Sequence, residues 1–187
     1  MLKPAASRAV LAALAWALPG LAAANVIEGP AEVIDGDSLR VGGTHVRLFA
    51  VDAPEFSQTC SSNGQPVACG AMAREALAGL VGASRLVCVP LETDSYGRTV
   101  ARCQTSGVDV GQALVASGWA MAFRRYGQDY VAAEARARAA RAGMWQWEFQ
   151  TPDSYRASLQ TSPAPAGPQR LARASASQRR FERDGMC

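Results

Sequence analysis

Three short segments place carboxylates and arginines where they could share a cation and an anionic ligand. Val33-Ile34-Asp35-Gly36-Asp37-Ser38 sets two acids around a glycine. Arg47-Leu48-Phe49-Ala50-Val51-Asp52-Ala53-Pro54-Glu55 starts on an arginine and runs into a proline turn with two more acids. Asp94-Ser95-Tyr96-Gly97-Arg98 has the composition of a hairpin tip. Carboxylates are hard oxygen donors suited to a divalent cation, and a guanidinium presents a planar fork to two phosphate oxygens, which a lysine cannot do. Each segment alone also has a plain structural explanation: a turn, a strand end, a loop. Arg47 and Arg98 could equally close salt bridges to Asp37, Asp52 or Asp94.

The elements that must position these residues are legible in outline. Val26 to Ile34, Ser38 to Val41 and His45 to Val51 read as three strands, with Gly42-Gly43 as a two-residue hairpin turn between the last two. Ala68 to Val81 changes to a helical period, with Met72, Ala76, Leu77, Leu80 and Val81 on one face and Gly82 as the stop. Arg85 to Val89 and Thr99 to Cys103 are two further strands flanking the polar tip. Asp109 caps a short helix from Val110 to Ser117, and Tyr130 to Ala142 is a third helix, followed by Gly143. Met144-Trp145 is expected to fold back onto the strands. Five short strands with a helix between the third and fourth are compatible with an OB-type Greek-key barrel carrying three helices, a mainly β, α+β fold. Trp119, Phe123, Trp145 and Trp147 are assigned to the core, and His45 to an ordinary strand position.

The 187 residues divide into three parts. Residues 1–24 read as a signal peptide: Lys3 and Arg8 open it, an apolar run extends from Ala9 to Ala23, and Ala22-Ala23-Ala24 suits a signal peptidase. That run is shorter than the roughly 20 residues needed to span a bilayer, and Pro19-Gly20 interrupts it. The expectation is a secreted or periplasmic chain, cleaved near Ala24, with no membrane segment in the mature form. Residues 25–150 form the domain, and residues 151–187, rich in Arg, Ala, Ser and Pro, a disordered tail. Cys60, Cys69, Cys88 and Cys103 agree with export, and four cysteines allow three pairings. Cys88 and Cys103 are equidistant from Ser95-Tyr96, while Cys60 and Cys69 bracket a Ser-Ser-Asn-Gly-Gln-Pro loop that a bridge could staple. Zinc is disfavoured, because there is no Cys-x-x-Cys pair and His45 is the single histidine. Cys187 has no assigned partner.

Charge is uneven. Residues 25–155 carry 11 arginines against 14 acids, whereas residues 156–187 carry 6 arginines against 2 acids. Beyond the leader there is no lysine. The domain therefore lacks the basic footprint of a simple polyanion binder, and any phosphate chemistry must rest on a few placed arginines and a metal.

In this order and spacing, the three segments resemble the thermonuclease (staphylococcal nuclease) family, over about residues 26 to 145. The resemblance implies Asp37, Asp52 and the backbone carbonyl of Ala53 as ligands of Ca²⁺. It implies Glu55 as the residue that orients or deprotonates the attacking water, and Arg47 and Arg98 as the grip on phosphate. Ala53 replaces a threonine of the best-known member, which keeps the carbonyl and loses a hydroxyl. Asp35 is a candidate for holding a water beside the metal. Tyr126 matches one of two tyrosines bordering the nucleotide pocket, and Arg124 stands at the other. The implied activity is hydrolysis of single- or double-stranded DNA and RNA by a monomer, with little sequence preference, leaving 3′-phosphate ends.

Two other readings stand beside it. One is a non-catalytic OB-type module that binds nucleic acid, against which the presence of both metal carboxylates, the glutamate and both arginines counts. The other is a saccharide-binding accessory protein of the cell envelope, since OB-type barrels also bind oligosaccharides. The chain also resembles exported nuclease-like proteins found beside polysaccharide genes.

Overall fold

The computed structural model describes residues 26–161; the expected signal peptide and residues 162–187 of the tail lie outside them. Strands β1 (Ile27–Val33), β2 (Ser38–Val41) and β3 (Thr44–Leu48) form an antiparallel meander. Gly42 and Gly43 take φ of 54° and 87°, as the two-residue turn joining Val41 to Thr44 requires. Three short strands follow, β4 (Val51–Asp52), β5 (Cys60–Ser62) and β6 (Gln65–Val67), and then helix α1 (Cys69–Val81). The chain continues through β7 (Arg85–Thr93), β8 (Thr99–Thr105), β9 (Val108–Asp109), α2 (Val110–Ala116), β10 (Met121–Ala122) and α3 (Val131–Ala139). A 3₁₀ turn at Gly143–Gln146 and helix α4 (Pro152–Thr161) complete it.

The strands β3-β2-β1-β7-β8 lie side by side, and β8 closes the ring by pairing in parallel with β3, Val46 beside Thr99. The expected OB-type barrel is therefore present. Its interior is filled by inward-facing Leu39, Val41, Val46, Leu48, Leu86, Cys88, Ala101 and Cys103, all buried in one cluster. Ala73, Leu77 and Val81, at four-residue spacing, are the buried stripe of α1. Leu77 and Val81 are thus buried on the expected face, Ala76 and Leu80 pack half-buried beside them, and Met72 is half-buried, with Ala73 in the stripe instead. The bridges are Cys60–Cys69 and Cys88–Cys103. The second spans directly paired positions of β7 and β8.

Several expectations need adjustment. The strand read as His45 to Val51 ends at Leu48, because Ala50 adopts φ 55°. That left-handed conformation costs a non-glycine residue about 1 kcal/mol, and it redirects the chain so that β4 pairs with β10 instead. The aromatic residues assigned to the core, Trp119, Phe123, Trp145 and Trp147, are half-buried. The core is mainly aliphatic instead, with Trp119 packed against its edge. Their rings pair at its rim, Trp119 with Trp147 and Trp145 with Phe149. Met144, by contrast, is fully buried as the chain folds back. Residues 152–161, which composition places in the tail, form α4. Thr151 accepts the Ser154 N–H at 3.3 Å, and proline occupies the first helical position, where no intrahelical donor is missed.

Candidate active site

Each site residue is delivered by a different strand end. Asp35 accepts the Asp37 N–H at 3.0 Å, a local turn that swings Asp37 inward at the start of β2. Antiparallel pairing sets Ser38 opposite Arg47 on β3. The kink at Ala50 then brings Asp52 back beside them. The parallel β3–β8 contact brings Arg98, one residue before β8, to the same end of the barrel.

Arg47 is the hub. Its Nη1 donates to Asp37 Oδ1 at 3.0 Å, and its Nη2 lies 3.0 Å from Asp37 Oδ2 and 3.2 Å from Asp52 Oδ1. One nitrogen thus touches both carboxylates. Ser38 Oγ and the Ala53 N–H also donate to Asp37, at 3.0 and 3.3 Å. Arg98 is held by Asp94, Nε to Oδ2 at 2.7 Å, and its Nη1 donates to Ser38 Oγ at 3.4 Å. Both arginines therefore make the salt bridges that their structural reading anticipates, and both point into one cluster.

Burial dominates the electrostatics of the site. Burial pushes the Asp37 carboxyl up to about 7, and repulsion from Asp35 and Asp52 adds to it, while Arg47 pulls the other way. Burial also raises Asp52 above the usual carboxylate range, against the pull of Arg156 and Arg47. For Arg47, burial disfavours the charge, and Asp37 and Asp52 more than offset it. The donors are all oxygen, which suits a hard divalent cation. They comprise two carboxylates, and among the described residues no three acidic, histidine or cysteine side chains converge on a ready-made cage. Asp37, Asp52 and a backbone carbonyl fit such an ion if further oxygens come from water and substrate.

Glu55 is set by a buried framework. Gln58 accepts the Glu55 N–H at 3.3 Å, and its own N–H donates to the Glu55 carbonyl at 2.8 Å. Gly70, in the first turn of α1, lies so close that a Cβ would sit 1.8 Å from the Glu55 carbonyl oxygen. Only glycine allows that approach. The remaining expected residues divide. Tyr126 packs against Phe49 and Phe123, with ring centroids 6.0 and 5.3 Å away. Arg124 points to the buried Glu134 at 2.6 Å. No described contact joins either to the carboxylates. His45 is a β3 strand residue.

A further cation, Arg156 on α4, joins the cluster. Its Nη1 donates to Glu55 Oε1 at 2.9 Å, and its Nη2 lies 3.1 and 3.2 Å from the two oxygens of Asp52. The basic composition around it hides it, although Thr151-Pro152-Asp153 carries the signature of a helix start. Ser38 and Gln58 likewise carry no sequence signal beyond polarity.

Comparison with known proteins identifies the family. The family described as "Staphylococcal nuclease homologue" matches residues 45–147. The succinoglycan biosynthesis protein ExoI of Rhizobium meliloti is 38% identical over 142 residues, covering 74% of each chain. Protein ParB of Escherichia coli is 34% identical over 165 residues, covering 78% of this chain and 84% of its own. With a barrel of this topology and a match across more than half its length, the chain belongs to the staphylococcal nuclease homologue family.

Proposed function

We propose that the protein is a calcium-dependent phosphodiesterase that hydrolyses DNA and RNA with little sequence preference and leaves 3′-phosphate ends. The observation that carries this reading is the meeting of Asp37 and Asp52 on one nitrogen of Arg47, with Arg98 and Glu55 at the same barrel end. Asp37, Asp52 and the carbonyl of Ala53 would hold Ca²⁺, with Asp35 steadying the loop beside it. When bound, the ion would neutralise the phosphate and lower the cost of its added negative charge.

The chain's own residues supply the rest. Arg47 and Arg98 exchange part of their internal ion pairing for the phosphate oxygens and stabilise the five-coordinate transition state. Glu55 accepts a proton from the attacking water or fixes its approach. The water oxygen bonds to phosphorus as the bond to the 5′-oxygen breaks, and that oxygen takes a proton from solvent. Tyr126, with Phe49 and Phe123, offers ring surface for a base. Arg124 is committed to Glu134, so its proposed part in substrate binding requires that pair to open.

An exported location is supported by the two disulfides, a kind of bridge that is rare outside oxidising compartments. Among the described residues no helix is long and apolar enough to cross a membrane. The signal peptide, the periplasmic or secreted destination and the monomeric state belong to the same proposal. The test is calcium-dependent cleavage of a labelled oligonucleotide followed by end-group analysis. Fragments bearing 3′-phosphates support the reaction, and 5′-phosphate ends contradict it.

A second reading, a non-catalytic saccharide-binding module, draws on the printed name of the Rhizobium relative, which refers to succinoglycan biosynthesis. The arginines' engagement in internal salt bridges also fits it. Saccharide binding that persists in EDTA, without cleavage of nucleic acid, would favour it.

A further inference from the structure

Helix α4 stands outside residues 45–147, the part matched by the family. It nevertheless delivers a cation to the centre of the candidate site. Arg156 Nη2 is within 3.2 Å of both oxygens of Asp52, and Nη1 is 2.9 Å from Glu55. Arg47 already reaches Asp52 Oδ1 at 3.2 Å. Both oxygens of Asp52 are thus taken by guanidinium groups, and a divalent ion would have to displace one of them. Arg47 is buried and bound twice to Asp37. Arg156 is the easier to move, being one-third exposed.

The way α4 is held points the same way. Pro152 is its one buried residue. Its other described ties to the Glu55 loop are polar: Tyr155 to Ser57 at 3.3 Å, and, just before the helix, the Gln150 carbonyl to Gln58 at 2.7 Å. A segment with so little buried apolar surface opens at low free-energy cost. Asp153, 3.8 Å from Arg156 on the same helix face, offers the released guanidinium another partner.

We propose that Arg156 is an internal competitor for the divalent cation, and that α4 is a strap whose guanidinium leaves Asp52 and Glu55 when the metal site fills. The inference rests on the metal-binding reading above. A strap of this kind holds the site closed at low calcium, frees Glu55 together with Asp52, and couples metal binding to the position of α4.

The test is calcium titration calorimetry on the full chain, wild type and Arg156→Ala, with Asp52→Asn as the control for binding at this site. Hydrogen exchange of residues 152–161 is measured on the wild type with and without calcium. The expected result is affinity increased by roughly fivefold or more in Arg156→Ala, as removal of the partly exposed competing guanidinium implies. Exchange in α4 should speed up when calcium binds the wild type. Equal or weaker affinity in Arg156→Ala, or unchanged exchange in α4, overturns the strap while leaving the metal site standing. Absence of calcium binding in both chains overturns the metal reading, and the strap with it.

Discussion

At the scale of single residues, the account turns on charges that are expensive to bury and therefore informative. Asp37 and Asp52 are almost fully buried around Arg47, and a buried carboxylate deprived of its partner is strongly destabilising. Arg47→Ala should lower unfolding free energy by about 3 kcal/mol and turnover by about 10²-fold; chemical denaturation and initial-rate assays check the two effects separately. Arg98 is more exposed and lies at the surface end of the cluster. Arg98→Ala should lose a similar factor in turnover with a smaller loss of stability than Arg47→Ala, because the backbone N–H groups of Tyr96 and Arg98 still hold Asp94. Equal damage to rate and stability would instead mark Arg98 as structural. Asp94 adds a pH dependence. Burial disfavours its charge, but the Arg98 side chain and the backbone N–H groups of Arg98 and Tyr96 outweigh that and lower its pKa from 3.8. A depressed carboxylate stabilises the fold above its unfolded pKa, and that contribution is lost as pH falls through the folded one. The stability difference between wild type and Asp94→Asn should therefore be constant above about pH 5 and vanish in strong acid.

At the scale of elements, close approach matters more than propensity. In Gly70→Ala the new methyl would collide with the Glu55 carbonyl, which a Cβ would meet at 1.8 Å. The loop carrying Glu55 must shift, so turnover should fall at least tenfold, as for other displaced catalytic groups, and more than the melting temperature indicates. A Gly70→Ala enzyme of normal rate would contradict the placement of Glu55. These elements differ in how far the sequence reveals them. The acids and arginines are legible because local motifs carry them: a turn at Asp35-Gly36-Asp37, a proline after Ala53, and a hairpin tip at Asp94–Arg98. Cys88 opposite Cys103 is legible because equal spacing from a hairpin centre is a register statement. The bend at Ala50 is not, since an alanine with positive φ leaves no compositional trace. The β5–β6 hairpin has a trace, Asn63-Gly64, with φ of 51° and 79°, although the segment reads first as a loop. Arg156 is hidden for a third reason: its neighbours have the composition of an unstructured tail, and only tertiary docking gives the helix a place.

At the scale of the whole molecule, the barrel buries an aliphatic core, one disulfide joins β7 to β8 inside it, a second ties β5 to α1, and one end is left for chemistry. With both bridges formed, four of the five cysteines are consumed. Thiol titration of the unfolded, unreduced chain should find one free thiol, and five would contradict the oxidised state. Because the domain carries more acids than arginines over residues 25–155, affinity for single-stranded DNA should depend on divalent cation more than on general positive charge. The central claim is that this end of the barrel hydrolyses phosphodiesters through Glu55 and a calcium held by Asp37 and Asp52. Its most direct test is the rate of single-stranded DNA cleavage by the wild type and by Glu55→Gln, each in calcium and in EDTA. The account predicts cleavage by the wild type in calcium, none in EDTA, and a loss of about 10²-fold or more in the folded variant. Cleavage at the same rate by Glu55→Gln, or none by a folded wild type that binds calcium, would contradict it.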